Sequence, residues 1–364
     1  MGEPHGIAIV GLGVISRAYL ETLTRHPRLR IVAVADLDPE RARAAAADTG
    51  AEALTVDAAL RHPEVGTVLN LTIPAAHAEV ALAAIAAGKD VYGEKPLAAT
   101  LAEAREVLAA AAAAGVRVGS APDTVLGTGT QTARAAVESG LIGRPISATA
   151  TWVASGHEAW HPNPDFYYAL GGGPLLDMGP YYISSLIQTL GPVVSATGAA
   201  SRLRGSRVIQ TGPRAGEEIP VSVDTHVTGI LEHANGALST ITTSFDGVHT
   251  DANPIEIHGE RGSLAVPDPN DFGGEVRSFA LGAEAWEPVA VSAGFGEGSR
   301  GAGLIDFVFG DRDVPRAGGA IGLHVLEVMT AILESARSGR RVAVESTPEL
   351  PPLVPLTPSS RWLA

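Results

Sequence analysis

At 364 residues, with 45% hydrophobic residues and a formal net charge of −14, the chain has room for two domains with real cores and the composition of a soluble globular protein. The acidic balance, unopposed by any basic run, argues against nucleic acid as a partner, and zero cysteines exclude disulfides and thiolate metal sites. No charged leader with an apolar core follows Met1, and no unbroken apolar run reaches the ~18 residues of a membrane span, so a cytoplasmic protein that engages no membrane is expected.

The first apolar run, Ile7-Ala8-Ile9-Val10, is short and bounded by glycine, as a buried parallel strand should be. Gly11-Leu12-Gly13-Val14-Ile15-Ser16 follows at once and leads into a helical pattern through Leu23. Gly11 permits a tight turn, Gly13 lets backbone approach a pyrophosphate, and Ser16 in the third small position still lets helix pack on strand. A tight βα turn with no ligand would need the same glycines. The second apolar run, Ile31 to Ala35, ends in Asp36 at the distance of about 20 residues that the dinucleotide fingerprint requires. Its carboxylate suits the adenosine ribose hydroxyls. Leu37 and Asp38 follow where a 2′-phosphate would want Arg or Ser, which favours NAD over NADP.

Strand and helix patterns then alternate: helix 39–48, a short strand near Ala53-Leu54, helix 57–61, strand 67–71, the turn Thr72-Ile73-Pro74 into helix 76–87, strand 89–92, helix 100–114 and strand 116–119. Such alternation predicts a doubly wound parallel sheet over residues 1–122. His77, at the start of a helix, reads as a cap or packing residue before it reads as a catalyst.

After strand 89–92 comes Gly93-Glu94-Lys95-Pro96. The chain carries 24 arginines and only two lysines, Lys89 and Lys95. A surface charge can be either residue, but an amine that must lose and regain a proton cannot be Arg. Lys89, in an Ala-Gly-Lys-Asp turn, reads as a surface lysine. Lys95, between a strand end and Pro96, stands where α/β sheets present ligands and is the candidate acid/base.

Past residue 122 the pattern changes. Helix 128–139 precedes strand-like runs at 145–154, 193–201, 224–233, 237–246, 254–258 and 263–266, with Asn235-Gly236 as a hairpin turn. A helix near 321–338 precedes a Pro-rich tail. An α+β domain over 123–364, with a mostly antiparallel open sheet, is expected. The arginines of 202–220 (Arg202, Arg204, Arg207, Arg214) read as a solvated loop. Within this half, Asp177 and Tyr181 lie four apart near a helix N-terminus and can share a face, with Pro180 placed in the first turn. Asp177 as an N-cap and Tyr181 as core is the alternative.

Together Gly11-Leu12-Gly13-Val14-Ile15-Ser16, Glu94-Lys95-Pro96 and Asp177-Met178-Gly179-Pro180-Tyr181 resemble the Gfo/Idh/MocA family of NAD(P)-dependent oxidoreductases, over nearly the whole chain. The resemblance implies a Rossmann domain followed by a domain on an open sheet that often forms an oligomer interface, here a homodimer or homotetramer. It implies that Lys95 is the acid/base beside the nicotinamide and that Asp177 acts with it. The family's usual second-motif His is Tyr181 here, as in some members, which leaves Lys95 and Tyr181 as alternative proton donors. The cofactor set expected is Gly11, Gly13, Val14, Ile15, Asp36, Thr72, Pro74, His77, Glu94 and Lys95.

Seven of the 17 aromatic residues fall between 152 and 182. Flat rings beside imidazoles and carboxylates suit a sugar or cyclitol ring, and Trp152, His157, Trp160, His161 and Tyr168, with Lys95, Asp177 and Tyr181, form the expected substrate set. A core cluster anchoring a loop is the alternative. His157-Glu158-Ala159-Trp160-His161 matches H-E-x-x-H, but that pattern binds zinc only on a helix, and Gly156, Pro162 and Pro164 oppose one. No metal is expected. The function expected is hydride transfer between NAD and a ring hydroxyl or ketone. A redox-neutral NAD-dependent glycosidase would carry the same motifs, and a nucleotide-binding regulator would not need Lys95 and Asp177.

Overall fold

The computed structural model describes residues 3–364. The chain forms two compact units, one of residues 1–128, 293–323 and 351–364, the other of 129–292 and 324–350. The first unit therefore takes in two later segments that the sequence, cut at residue 122, assigned wholly to the second domain.

The first unit is a Rossmann sheet of six parallel strands: β1 (His5–Val10), β2 (Leu29–Ala35), β3 (Glu52–Ala53), β4 (Thr67–Asn70), β5 (Asp90–Gly93) and β6 (Val118–Ser120), in the order β3-β2-β1-β4-β5-β6. Residues 7–10 and 67–70 are buried throughout, as strands covered on both faces must be. The connecting helices are α1 (Ser16–Leu23), α2 (Pro39–Thr49), α3 (Val56–Arg61), α4 (Pro74–Ala86) and α5 (Leu101–Ala114). Helices α2, α3 and α5 have side-chain N-caps, from Asp38, Thr55 and Thr100, the last a full capping box with Glu103. The N-termini of α1 and α4 have no side-chain cap. These two follow β1 and β4, the neighbours between which strand order reverses. The reversal is where doubly wound sheets take ligands, and uncapped N–H groups there suit an anion.

The later segments of this unit are tied to the sheet by buried charge. The Asp123 carboxylate, fully buried, accepts from the Gly301 and Gly303 amides at 2.8 and 3.2 Å and so caps the helix Ala302–Phe309 from a distance. Burial pushes its carboxyl upward. Gly303 is obligatory, because a Cβ there would lie 2.2 Å from the Tyr92 hydroxyl.

The second unit is built on a nine-stranded sheet and a separate hairpin: β7 (Pro145–Val153), β8 (Val193–Ser201), β9 (Ser206–Val208) and β10 (Glu218–Pro220), these last two forming the hairpin, then β11 (His226–His233), β12 (Leu238–Ser244), β13 (Ile255–Gly259), β14 (Gly262–Val266), β15 (Arg277–Ala280), β16 (Glu287–Pro288) and β17 (Val342–Ala343). The large sheet runs β16-β15-β14-β13-β7-β12-β11-β8-β17, and only β7 and β12 pair in parallel. All six strands expected from the pattern form, within two residues at each end. β15, β16 and β17 are too short to carry a clear apolar run of their own. Asn235-Gly236 makes the β11–β12 turn, with Gly236 at φ +87°.

Helices α6 (Thr128–Glu138), α7 (Asp165–Tyr168) and α8 (Pro174–Leu190) belong to this unit, α6 from its second residue. α8 packs on β7, β11 and β12. The helix Gly319–Ser338 is long and apolar enough by composition to cross a membrane, yet Leu326, Val328, Met329 and Ile332 are buried in the unit's core. Gly198 permits its close approach: a Cβ there would stand 2.3 Å from the Ile332 carbonyl oxygen. On the sheet's other face Ile230 and Leu238 remain half-exposed.

Three sequence expectations are corrected. Lys89 is half-buried and donates to the His62 and Val65 carbonyls at 3.0 and 2.8 Å, so it braces the loop before β4. Pro180 lies in the second turn of α8, because the helix begins at Pro174. The segment 202–220 contains the β9–β10 hairpin, and Arg207 is 3% exposed, drawn in by two carboxylates.

Candidate active site

Cofactor-side residues of the first unit cluster at the carboxyl ends of its strands. Gly11 has φ +92°, and a Cβ there would come within 2.6 Å of Leu71 backbone, so the turn admits only glycine. Around Gly13 nothing lies within 4 Å of where a Cβ would stand, which leaves backbone open to a pyrophosphate. Ser16 closes the turn by donating from Oγ to the Gly13 carbonyl at 2.7 Å. The Asp36 carboxylate accepts from the Leu12 amide at 2.7 Å through Oδ2 and from the Asp38 amide at 2.8 Å through Oδ1. It thus locks the glycine turn to the end of β2, with Asp38 itself capping α2.

Val14, Leu37 and Ile73 are 76%, 96% and 56% exposed and form an apolar rim at these strand ends. Ile15 is half-buried at the N-cap of α1, and Pro74 opens α4. Thr72 donates from Oγ1 to Asn70 Oδ1 at 2.6 Å. His77 is buried, with Nδ1 2.7 Å from the Pro96 carbonyl oxygen and Nε2 2.9 Å from that of Thr72. Burial holds its imidazole below the usual range. Its ring links the turn after β4 to the turn after β5, a structural tie that a helix-start His does not advertise in sequence.

Glu94 is buried; Oε1 accepts from the Tyr19 hydroxyl at 2.8 Å and Oε2 from the Lys95 amide at 3.0 Å. The carboxylate therefore fixes the backbone from which Lys95, half-buried, projects.

In the second unit Asp177 lies in the first turn of α8, whose N-cap Gly173 has φ +95°. His157 Nε2 is 2.7 Å from Asp177 Oδ2, and His157 Nδ1 accepts from Trp160 Nε1 at 3.1 Å. Tyr181, one turn beyond Asp177, is 5% exposed. His161 is partly buried, its Nδ1 accepting from the Asn163 amide at 3.1 Å, and burial lowers its imidazole. Trp160 and Phe166 are 54% and 37% exposed. Trp152 is half-buried and stacks edge-on to Phe245.

Tyr168, expected to face substrate, is a core residue with Ile209, Ile219, Val221 and Phe245; its hydroxyl donates to Glu158. The aromatic segment is thus divided between an anchoring core and an exposed rim. The H-E-x-x-H stretch is a single 3-10 turn over His157–Ala159, and Glu158 is ion-paired with Arg207. Sequence reasoning missed both the His157–Asp177 pair and the Arg207 carboxylate pair, whose members are 20 or more residues apart and share no spacing signal.

Residues 5–121 match the oxidoreductase family with NAD-binding Rossmann fold, and residues 130–265 match the GFO/IDH/MocA C-terminal domain. The chain is 29% identical over 262 residues to 1,5-anhydro-D-fructose reductase of Ensifer adhaerens, covering 70% of this chain and 74% of that protein. It is 29% identical over 284 residues to levoglucosan dehydrogenase of Pseudarthrobacter phenanthrenivorans, covering 72% and 70%. Its fold matches an NAD binding oxidoreductase from Klebsiella pneumoniae with a TM-score of 0.80 at 26% identity, over 94% of this chain and 99% of that one.

Proposed function

The chain belongs to the Gfo/Idh/MocA family of NAD-binding oxidoreductases, and on that premise we propose that it transfers hydride between NAD and a ring hydroxyl or ketone of a sugar, cyclitol or related polyol. One observation carries the substrate class: a His-held carboxylate, Asp177, in a unit whose exposed rings Trp160 and Phe166 flank the same loop. Carboxylates orient ring hydroxyls, and flat aromatic faces cover the C–H side of a sugar. The anhydro-sugar names of two relatives support the same class.

Bound NAD supplies the hydride acceptor in the oxidative direction and the donor in the reverse. Lys95 takes the proton of the reacting hydroxyl, or returns it to the carbonyl oxygen, a step closed to the arginines elsewhere in the chain. Asp177 accepts from a substrate hydroxyl and fixes the ring. Tyr181 is the second candidate donor. Gly11, Gly13 and Asp36 hold the dinucleotide through backbone N–H groups and a ribose-facing carboxylate. The protein works in the cytoplasm as a homodimer or homotetramer, for which the uncovered sheet face around Ile230 and Leu238 is the candidate contact; light scattering on a size-exclusion column reads the assembly.

Incubation with NAD and a panel of sugars, cyclitols, anhydro-sugars and aryl glycosides tests the reading. Net NADH with a free ring alcohol is the expected result. Aglycone release that needs NAD but yields no net NADH would overturn it in favour of a redox-neutral glycosidase.

A further inference from the structure

His157 bonds the catalytic candidate Asp177 and is held in place from several sides within the second unit. Gly156 before it has φ +106°, and a Cβ there would stand 2.3 Å from Glu158 Oε2 and 2.6 Å from the Tyr168 hydroxyl. The His157 amide donates to the Tyr168 hydroxyl at 3.1 Å, and Tyr168 in turn donates to Glu158, which Arg207 holds. The imidazole is 7% exposed among four rings: Tyr167, Phe245, Trp160 and Trp152, with centroids at 4.3, 4.7, 5.1 and 6.0 Å.

Hydrogen-bond direction settles what such a ring does. Indole N–H is only a donor, so the bond from Trp160 Nε1 makes His157 Nδ1 an acceptor without a proton. The neutral ring then carries its proton on Nε2, and Nε2 faces Asp177 Oδ2 at 2.7 Å. A neutral donor of fixed tautomer, walled in by aromatic rings, pins one oxygen of the carboxylate and sets the plane of the other.

We propose that His157 is the positioning residue of Asp177, with Trp160 fixing its tautomer. The inference rests on the reading that Asp177 handles the reacting substrate. His157 acts through that carboxylate, so its loss disturbs the reacting geometry more than substrate capture.

The test has two arms. In the free protein, two-bond ¹H–¹⁵N spectra of ¹⁵N-histidine-labelled chain should show one Nε2–H ring that disappears in His157→Gln and moves in Asp177→Asn and in Trp160→Phe. A His157 ring protonated on Nδ1, or one unmoved by Asp177→Asn, overturns the proposal without any turnover assay. In the kinetic arm His157→Phe should lower kcat by about tenfold to a hundredfold, with KM for the ring alcohol changed by less than about threefold. His157→Gln, whose amide N–H can reach the same oxygen, should recover most of the loss. Unchanged kcat in His157→Phe, or a loss confined to KM, overturns it. Asp177→Asn separates the two readings: if it retains full kcat, the assignment of Asp177 itself falls, whereas a dead Asp177→Asn beside a fully active His157→Phe removes only the positioning role. If His157→Phe fails to fold, the spectra and the Gln variant decide.

Discussion

Arg207 donates from Nη1 to Glu158 Oε1 at 2.8 Å while its Nη2 bonds Asp246, joining the hairpin β9–β10, the turn that carries His157 and the end of β12. All three charged groups are buried or nearly so, with side-chain exposures of 2%, 5% and 12%. An apolar replacement would strand two carboxylates away from water. Removing one partner of a buried pair costs about 3–5 kcal/mol, so Arg207→Leu should lower the urea midpoint of unfolding sharply. Arg207→Lys, which keeps charge but loses the fork, should fall between. A midpoint for Arg207→Leu equal to wild type would show that the triad contributes nothing.

Asp36 offers a separate test at the cofactor end. Its two oxygens accept from the Leu12 and Asp38 amides, and on the proposed reading its charge opposes a 2′-phosphate. Replacing it with Ser removes both the brace and the repulsion. Asp36→Ser should weaken NAD binding by about tenfold or more and narrow the preference over NADP. Fluorescence titration with each dinucleotide reads both constants; an unchanged NAD-to-NADP ratio would detach cofactor choice from this carboxylate.

These two sites differ in how far the sequence exposes them. The glycine turn, Asp36 and Glu94-Lys95 are local: each sits at a fixed offset from an apolar run, and the scarcity of lysine together with the Glu-Lys-Pro resemblance singles out Lys95. The strands from β7 to β14 are legible for the same reason, and Asn235-Gly236 names its own turn. Arg207 and His157 are illegible because their partners come from distant segments. A buried Arg has the same one-letter identity as a solvated one, and only the carboxylates of Glu158 and Asp246, brought in by folding, distinguish it. The capping of helix Ala302–Phe309 by Asp123 escapes for that reason too. Pro180 misled in the opposite direction, since proline commonly marks a first turn and here occupies a second.

Lys95 carries a prediction that uses the chain's own bias toward arginine. Glu94 fixes the Lys95 backbone through the amide at 3.0 Å, so a substitution at 95 leaves the turn anchored. Lys95→Arg keeps a cation at the site but cannot release its proton in the working range. Both Lys95→Arg and Lys95→Ala should lose at least about a hundredfold in kcat while NAD binds within about threefold of wild type. Retention of more than about a tenth of the rate by either variant would move the proton to another donor, Tyr181 first among them.

Acid stability follows from His324, which is fully buried. Its Nε2 accepts from the Val193 amide at 3.1 Å and its Nδ1 lies 2.8 Å from the Ser346 hydroxyl. Burial pushes the imidazole down to about 4 from an ordinary value of 6.5. Between those values the unfolded chain binds a proton that the folded chain refuses, so unfolding is favoured as pH falls. The contribution is complete above about pH 6.5 and is lost progressively toward about pH 4, on the order of 3 kcal/mol in all. His233, buried against the Gly191 carbonyl and Ser239, is lowered for the same reason and acts in the same direction. Urea midpoints measured at about pH 7.5 and about pH 5 should therefore differ strongly in wild type. His324→Gln keeps an acceptor for the Val193 amide and removes the larger of these titrations, so it should reduce that difference even if it lowers both midpoints. A pH dependence in His324→Gln as steep as in wild type would assign acid unfolding to other groups.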